Sequence, residues 1–357
     1  MWNKAAYGNP LVRDVARILV QRLPSSWTVS VGARSEAGTG SDAVLDLLAP
    51  DGERAAILVA ARTALEPRDV PRIAAQRSGY VGASTDARHT ALLVVAPYVS
   101  PRTQELLAAA GIGYADPTGN LRLTLERPAL FIERMGATSN PQPDMRPLHS
   151  LKGPTAGRVV RALCDFRPPY GIRELAERSG TPIASVSRVV ALLDREALLT
   201  REPRGPVRAV DWAGLIRRWA QDYAFTASNR VTTLLAPRGI PALLGTLPAA
   251  ALRYAVTGSL AAAARAPIAA PRLATVYVGD ALTAAATLGL RPTEAGANVL
   301  LAEPFDPVVF ERCWQDDGVT YAALSQVAAD LLTSPGRAPA EGEELLRWMG
   351  EHEAAWR

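Results

Sequence analysis

The order of apolar and polar positions changes period several times along the chain, and each change marks an element. From Pro10 to Leu23, Val12, Val15, Leu19 and Leu23 recur at helical spacing. The apolar runs "WTVSV", "DAVLDLLA" and "RAAILVAA" follow, with a "PDG" turn between the last two, and predict strands. "VPRIAAQRSG" and "SPRTQELLAAAG" predict helices on either side of the buried strand "TALLVVAPY". "LRLTLERPALFIER" predicts a terminal β pair entered through the turn "DPTG". Residues 1–135 therefore read as an α/β domain with mixed strand directions.

Residues 136–154 are dense in Gly, Pro, Ser and Asn and read as a linker. Beyond it, "AGRVVRALCDF" and "IRELAERSG" predict two short helices, the second ended by Gly180. "TPIASVSRVVALLDREAL" predicts a third, with Thr181 as N-cap and Pro182 at the first helical position. "LLTREPRGPVRAVD" has the form of two strands around an Arg-Gly-Pro turn. Three helices and a hairpin make residues 155–212 a winged helix-turn-helix. In its third helix Val186, Val189, Val190 and Leu193 point into a core, which leaves Ala184, Ser185 and Arg188 on the opposite face with Ser187 at its edge. Small and hydroxylic residues permit close approach to a DNA groove, and an arginine one turn later reaches guanine edges or phosphate. Arg201, Arg204 and Arg208 on the wing, with Arg173 before the turn and Thr181 at the start of the third helix, complete the expected DNA-binding set.

Charge sharpens this picture. From Leu151 to Trp212 there are eleven basic and seven acidic residues, an excess of four equal to the net charge of the whole chain. Lys4 and Lys152 are the only lysines, and guanidinium forks suit bidentate phosphate and guanine contacts. With 357 residues, 48% hydrophobic and 21% charged, the chain predicts a multidomain globular protein. The charged start, with Lys4, Arg13, Asp14 and Arg17, supports neither a signal peptide nor a membrane span, so the expected location is cytoplasmic. Cys164 and Cys313 lack metal-ligand spacing and are expected to be reduced core thiols, and His89, His149 and His352 have no partner motif. No cofactor is expected.

The segment "ASVSRVVALLDREALL" resembles the winged-helix regulators of the IclR and MarR type through Ser187, Arg188 and Leu193, with Ala197 where those proteins usually carry glycine. The first domain resembles, by its order of elements, the restriction-endonuclease-like superfamily, which places an Asp on one hairpin strand and Glu-x-Lys on the next. Asp46 is matched to the first acid, Ala60 to the second and Arg62 to the lysine, with Glu53 and Glu66 nearby. Arginine keeps its proton, so Arg62 would bind phosphate rather than act as a base, and Asp46 is expected to pair with Arg62 or to cap a turn rather than to serve catalysis. In residues 213–357, "YAVTGSLAAAARAPIAAPRLATVYVGD" resembles the nucleotidyltransferase-like fold, in which a Gly-Ser pair precedes a strand bearing Asp-x-Asp. Here Thr275 and Tyr277 stand in the strand and Asp280 at its end. The tail resembles regulators related to the type IV abortive-infection antitoxins at Tyr321, Gln326, Asp330, Leu331, Gly336, Arg337 and Glu344; Asp330 and Arg337 are expected to form either a helix-terminal ion pair or part of a ligand site.

Together these readings predict an α/β multidomain regulator that binds double-stranded DNA. It is expected to be a homodimer, to use its flanking domains for dimerisation or for sensing a protein or small-molecule effector, and to have no catalytic residues. The alternatives are an antitoxin and a metal-dependent DNA-processing enzyme.

Overall fold

The helical spacing that begins at Pro10 folds as α1 (Pro10–Arg22), capped by the Asn9 side chain, which accepts a hydrogen bond from the Leu11 amide. The structure is a computed structural model that describes residues 9–32, 42–82, 89–141, 150–202, 205–267, 270–293 and 295–357. It is mixed α/β and divides into two compact units, residues 1–146 with 195–197, and residues 147–194 with 198–357.

In the first unit the predicted strands form one seven-stranded sheet whose strands lie side by side in chain order. They are β1 (Thr28–Gly32), β2 (Ala43–Leu48), β3 (Arg54–Ala61), β4 (Thr90–Val95), β5 (Gly113–Ala115), β6 (Leu121–Leu125) and β7 (Leu130–Arg134). Helices α2 (Val70–Gly82) and α3 (Pro101–Ala109) make the crossovers that set β3, β4 and β5 parallel, while the remaining neighbours are antiparallel. Alternation in β3 sends Ile57 and Val59 to a core shared with α1, and Leu58 and Ala60 to a second core with Val70, Ile73 and Leu107. Both faces are covered, so the strand reads as a continuous apolar run.

The second unit opens with α4 (Pro154–Asp165), α5 (Ile172–Ser179), α6 (Ile183–Arg195), β8 (Leu199–Arg201) and β9 (Val207–Val210). It continues through α7 (Trp212–Ala220), α8 (Phe225–Ser228), β10 (Arg230–Leu235), α9 (Gly239–Thr246), β11 (Tyr254–Thr257) and α10 (Gly258–Ala263). Then come β12 (Ala274–Val278), α11 (Ala281–Thr287), β13 (Arg291–Pro292), β14 (Val299–Glu303), β15 (Trp314–Asp316), β16 (Val319–Tyr321), α12 (Leu324–Leu332) and α13 (Ala338–Glu351). Strands β10 to β16 build a second seven-stranded sheet in the order β13-β10-β14-β12-β11-β16-β15. One hydrophobic core runs from Leu151 through α4–α7 to Met349. The stretches 155–212 and 213–357, distinguished on sequence, are thus packed as a single body.

The reason lies in α4. Nine of its twelve residues are buried, Arg161 and Asp165 among them. A helix covered on all sides cannot belong to a free-standing small domain; it is shared between α5 on one side and α7, α12 and the turn Pro307–Phe310 on the other. Among the described residues no helix is long and apolar enough to cross a membrane.

Candidate nucleic-acid interface

Helix α5 ends because Gly180 takes a left-handed conformation, φ 57°. The Gly180 amide donates to the Glu177 carbonyl and the Thr181 amide to the Ala176 carbonyl, closing the reverse turn that redirects the chain into α6. In α6, Val186, Val190 and Leu193 are fully buried and Val189 and Leu192 nearly so, each stabilising the fold by about 1.5–3 kcal/mol. The opposite face is left to solvent: Ala184, Ser187 and Arg188 are exposed, and Ser185 is half-buried. Arg188 folds back along the helix, its Nη2 donating to Ser185 Oγ at 3.2 Å.

The hairpin that follows gains a third strand position. Tyr170, between α4 and α5, exchanges both backbone hydrogen bonds with Val207 of β9. Its ring is buried and its hydroxyl donates to the Leu163 carbonyl at 3.0 Å. This residue ties the hairpin to the helices, and the sequence reading did not single it out.

The other expected contact residues differ in their surroundings. Arg173 is exposed on the first turn of α5. Arg208 is exposed with Nε and Nη2 both donating to Glu202 Oε1, at 3.1 and 2.9 Å, and Arg201 lies 3.7 Å from Asp194. The exposed Arg208–Glu202 pair contributes about 0–1 kcal/mol, so Arg208 can exchange its carboxylate for a phosphate at small cost, whereas Arg201 and Asp194 are half-buried. Arg204 lies outside the described residues. Thr181 requires correction as a groove contact: it is buried, and its hydroxyl lies 3.0 Å from the Ser179 carbonyl and 2.7 Å from Ser179 Oγ, so it holds the turn instead.

The basic excess of the segment is also not all at the surface. Arg161 is 1% exposed, with Nε donating to Asp165 at 2.9 Å, Nη1 to the Val308 carbonyl and Gln326 Oε1, and Nη2 to the Glu311 carbonyl. Arg158 donates to the buried Asp306 at 3.0 Å. Ser325 Oγ closes the same chain by donating to Asp165.

From Gln326 the buried polar chain continues to Asp330, which accepts from Gln326 Nε2, Tyr223, Thr257 and Tyr277 at 2.6–2.8 Å. Burial pushes the Asp330 carboxyl up to about 6 although these four donors oppose the shift. Burial, with the charge of Asp330, pushes both tyrosine hydroxyls well above their ordinary value. Asp330 is therefore a core residue, and the expected Asp330–Arg337 pair does not form; Arg337 instead pairs with Glu341 at 2.8 Å. Cys164 is buried and Cys313 half-buried, both free thiols; burial raises each, Cys313 to about 11.

The two positions where a nucleotidyltransferase-like strand would carry carboxylates are Thr275 and Tyr277; both are buried, and Tyr277 is itself one of the donors to Asp330. Gly258 opens α10 with φ 65°, and a Cβ there would meet Thr275 Oγ1 at 3.3 Å, so the Gly-Ser turn is a packing device. Asp280 caps α11 by accepting from the Thr283 amide.

In the first unit the hairpin register changes the acid opposite Arg62. Asp46 lies across from Ala56, four residues from Ala60, in an open depression of about 570 Å³ with Ser30, Arg54 and His89. Asp42 is the residue that meets Arg62: Asp42 Oδ2 accepts from the Ala61 amide at 2.7 Å and lies 3.7 Å from the Arg62 guanidinium, which also donates to the Ala61 carbonyl. The expected Asp46–Arg62 pair is replaced by Asp42–Arg62. Among the described residues no group of three or more His, Cys, Asp and Glu side chains is arranged to hold a metal ion.

Compared with known proteins, the chain matches no family model, no curated sequence and no solved structure.

Proposed function

We propose that the chain is a sequence-specific regulator that binds double-stranded DNA through residues 155–212, acting as a winged helix-turn-helix. The observation that carries this reading is α6. It follows a tight turn from α5, its apolar row is buried, and its outer face offers the small Ala184, the two hydroxyls of Ser185 and Ser187 and one exposed arginine. Arg188 is assigned to a base edge, Arg173 and Arg208 to phosphates, with Arg201 joining them on release from Asp194. The rest of the second unit anchors α4 from behind, and the first unit serves dimerisation or the binding of a partner or effector. Arg62, beside Asp42, is assigned a secondary phosphate contact.

No catalytic role is proposed. Ala60 leaves Asp42 without a second acid, and one carboxylate beside an arginine is a poor magnesium site. The tail residues that resemble the antitoxin-related regulators, Gln326 and Asp330, build the core and leave the DNA-reading role unchanged.

The reading is tested by selecting duplexes from a randomised pool with the full chain. An enriched sequence whose affinity falls steeply with salt supports it, because each neutralised phosphate releases counterions. Recovery of no enriched sequence overturns it.

A further inference from the structure

Ile183 is the first residue of α6, and half of its surface faces solvent, 51%. The core does not need it, since Val186, Val189, Val190, Leu192 and Leu193 already fill the inward face. It stands one turn before Ser187 and next to Ala184, both exposed and small, so nothing on the outer face overtops it. The Arg188 guanidinium, drawn back onto Ser185, is held toward the same end of the helix.

Resting on the DNA-binding reading above, we infer that Ile183 reads the 5-methyl group of a thymine in the major groove, beside a guanine read by Arg188. Thymine alone presents a methyl group there, and apolar side chains are its natural contact; a guanidinium matches guanine O6 and N7. Five helical residues rise about 7.5 Å, and base pairs are spaced about 3.4 Å apart. With Arg188 folded back toward the first turn, the thymine and the guanine fall within about two base pairs of each other. The hydroxyl and methyl of Ser187 and Ala184 are short enough to let the isoleucine reach the base.

The test uses the full chain and the duplex selected from a randomised pool. Each thymine is replaced in turn by uracil, which keeps the base pair and removes only the methyl group. One replacement, within about two base pairs of a guanine whose substitution is tolerated equally by Arg188→Ala, is expected to weaken binding by about three- to fivefold. Ile183→Ala is expected to bind the thymine and uracil duplexes equally. A duplex insensitive to uracil at every thymine overturns the inference and leaves the DNA-binding reading intact. A uracil effect that persists in Ile183→Ala also overturns it, because another residue then reads the methyl group. Failure to select any sequence overturns the DNA-binding reading itself.

Discussion

Helices α4 and α6 belong to one three-helix segment and look alike in sequence, each with an apolar row at helical spacing and arginines on the remaining face. Packing separates them. In α6 the arginine side meets solvent, and Arg188 is exposed. In α4 a second surface closes over the arginine side, and Arg161 lies inside the core with Asp165, Gln326 and two backbone carbonyls. An arginine in a basic segment is therefore no evidence of a phosphate contact until the covering of its face is known. The charge count over Leu151–Trp212 includes one guanidinium that holds the fold and another, Arg158, tied to buried Asp306.

The largest consequence falls on α4. Arg161→Ala leaves Asp165 buried without its ion pair and is expected to destabilise the second unit by about 3–5 kcal/mol, read as a shift in the denaturant midpoint. Arg188→Ala should leave that midpoint in place. Equal midpoints for the two variants would abolish the distinction between the helices.

The next effect concerns the far end of the same buried chain. Asp330 holds its proton up to about pH 6 in the folded protein, against an ordinary value of 3.8. Between these values the folded chain binds a proton that the unfolded chain has released. Its contribution to stability is thus fully present below about pH 4 and is lost as the pH rises through about 6. Relative to Asp330→Asn, the wild-type chain is expected to lose on the order of 2–3 kcal/mol across that window. Parallel stability profiles for the two proteins would show that Asp330 does not titrate there.

The smallest effect sits where α6 leads into β8. Ala197 has φ 53°, a left-handed conformation costly for a residue with a Cβ. Ala197→Gly is expected to stabilise the chain by about 0.5–1 kcal/mol, offset in part by the greater freedom of glycine in the unfolded state. A lowered melting temperature would contradict this account of the turn.

Much of the helical segment was legible in the sequence because local rules set it. The inward residues Val186, Val189, Val190 and Leu193 follow from helical period, and Gly180 from its freedom to reverse the chain. Ala197 was visible only as a departure from the glycine usual in the regulators that the segment resembles. What escaped depends on neighbours distant in sequence. Arg161 reads as a surface residue until Gln326 and the 308–311 carbonyls are brought over it. Thr181 reads as an outward cap until the turn folds its hydroxyl onto Ser179.

Asp42 is a different case. The "PDG" turn centres on Asp51, so residues equidistant from it pair, as Leu48 does with Arg54. That register places Asp42, not Asp46, at the level of Ala60. The signal was present in the position of the turn, and matching residues by type alone passed over it.

The central claim, that the outer face of α6 reads DNA while α4 holds the fold, is tested most directly by the affinity of Arg188→Ala for the selected duplex. A base contact predicts a loss of about 1–3 kcal/mol, roughly five- to 150-fold, with the greatest loss of discrimination at one guanine and no change in melting temperature. Affinity equal to that of the wild-type chain would contradict the assignment of α6 as the reading helix.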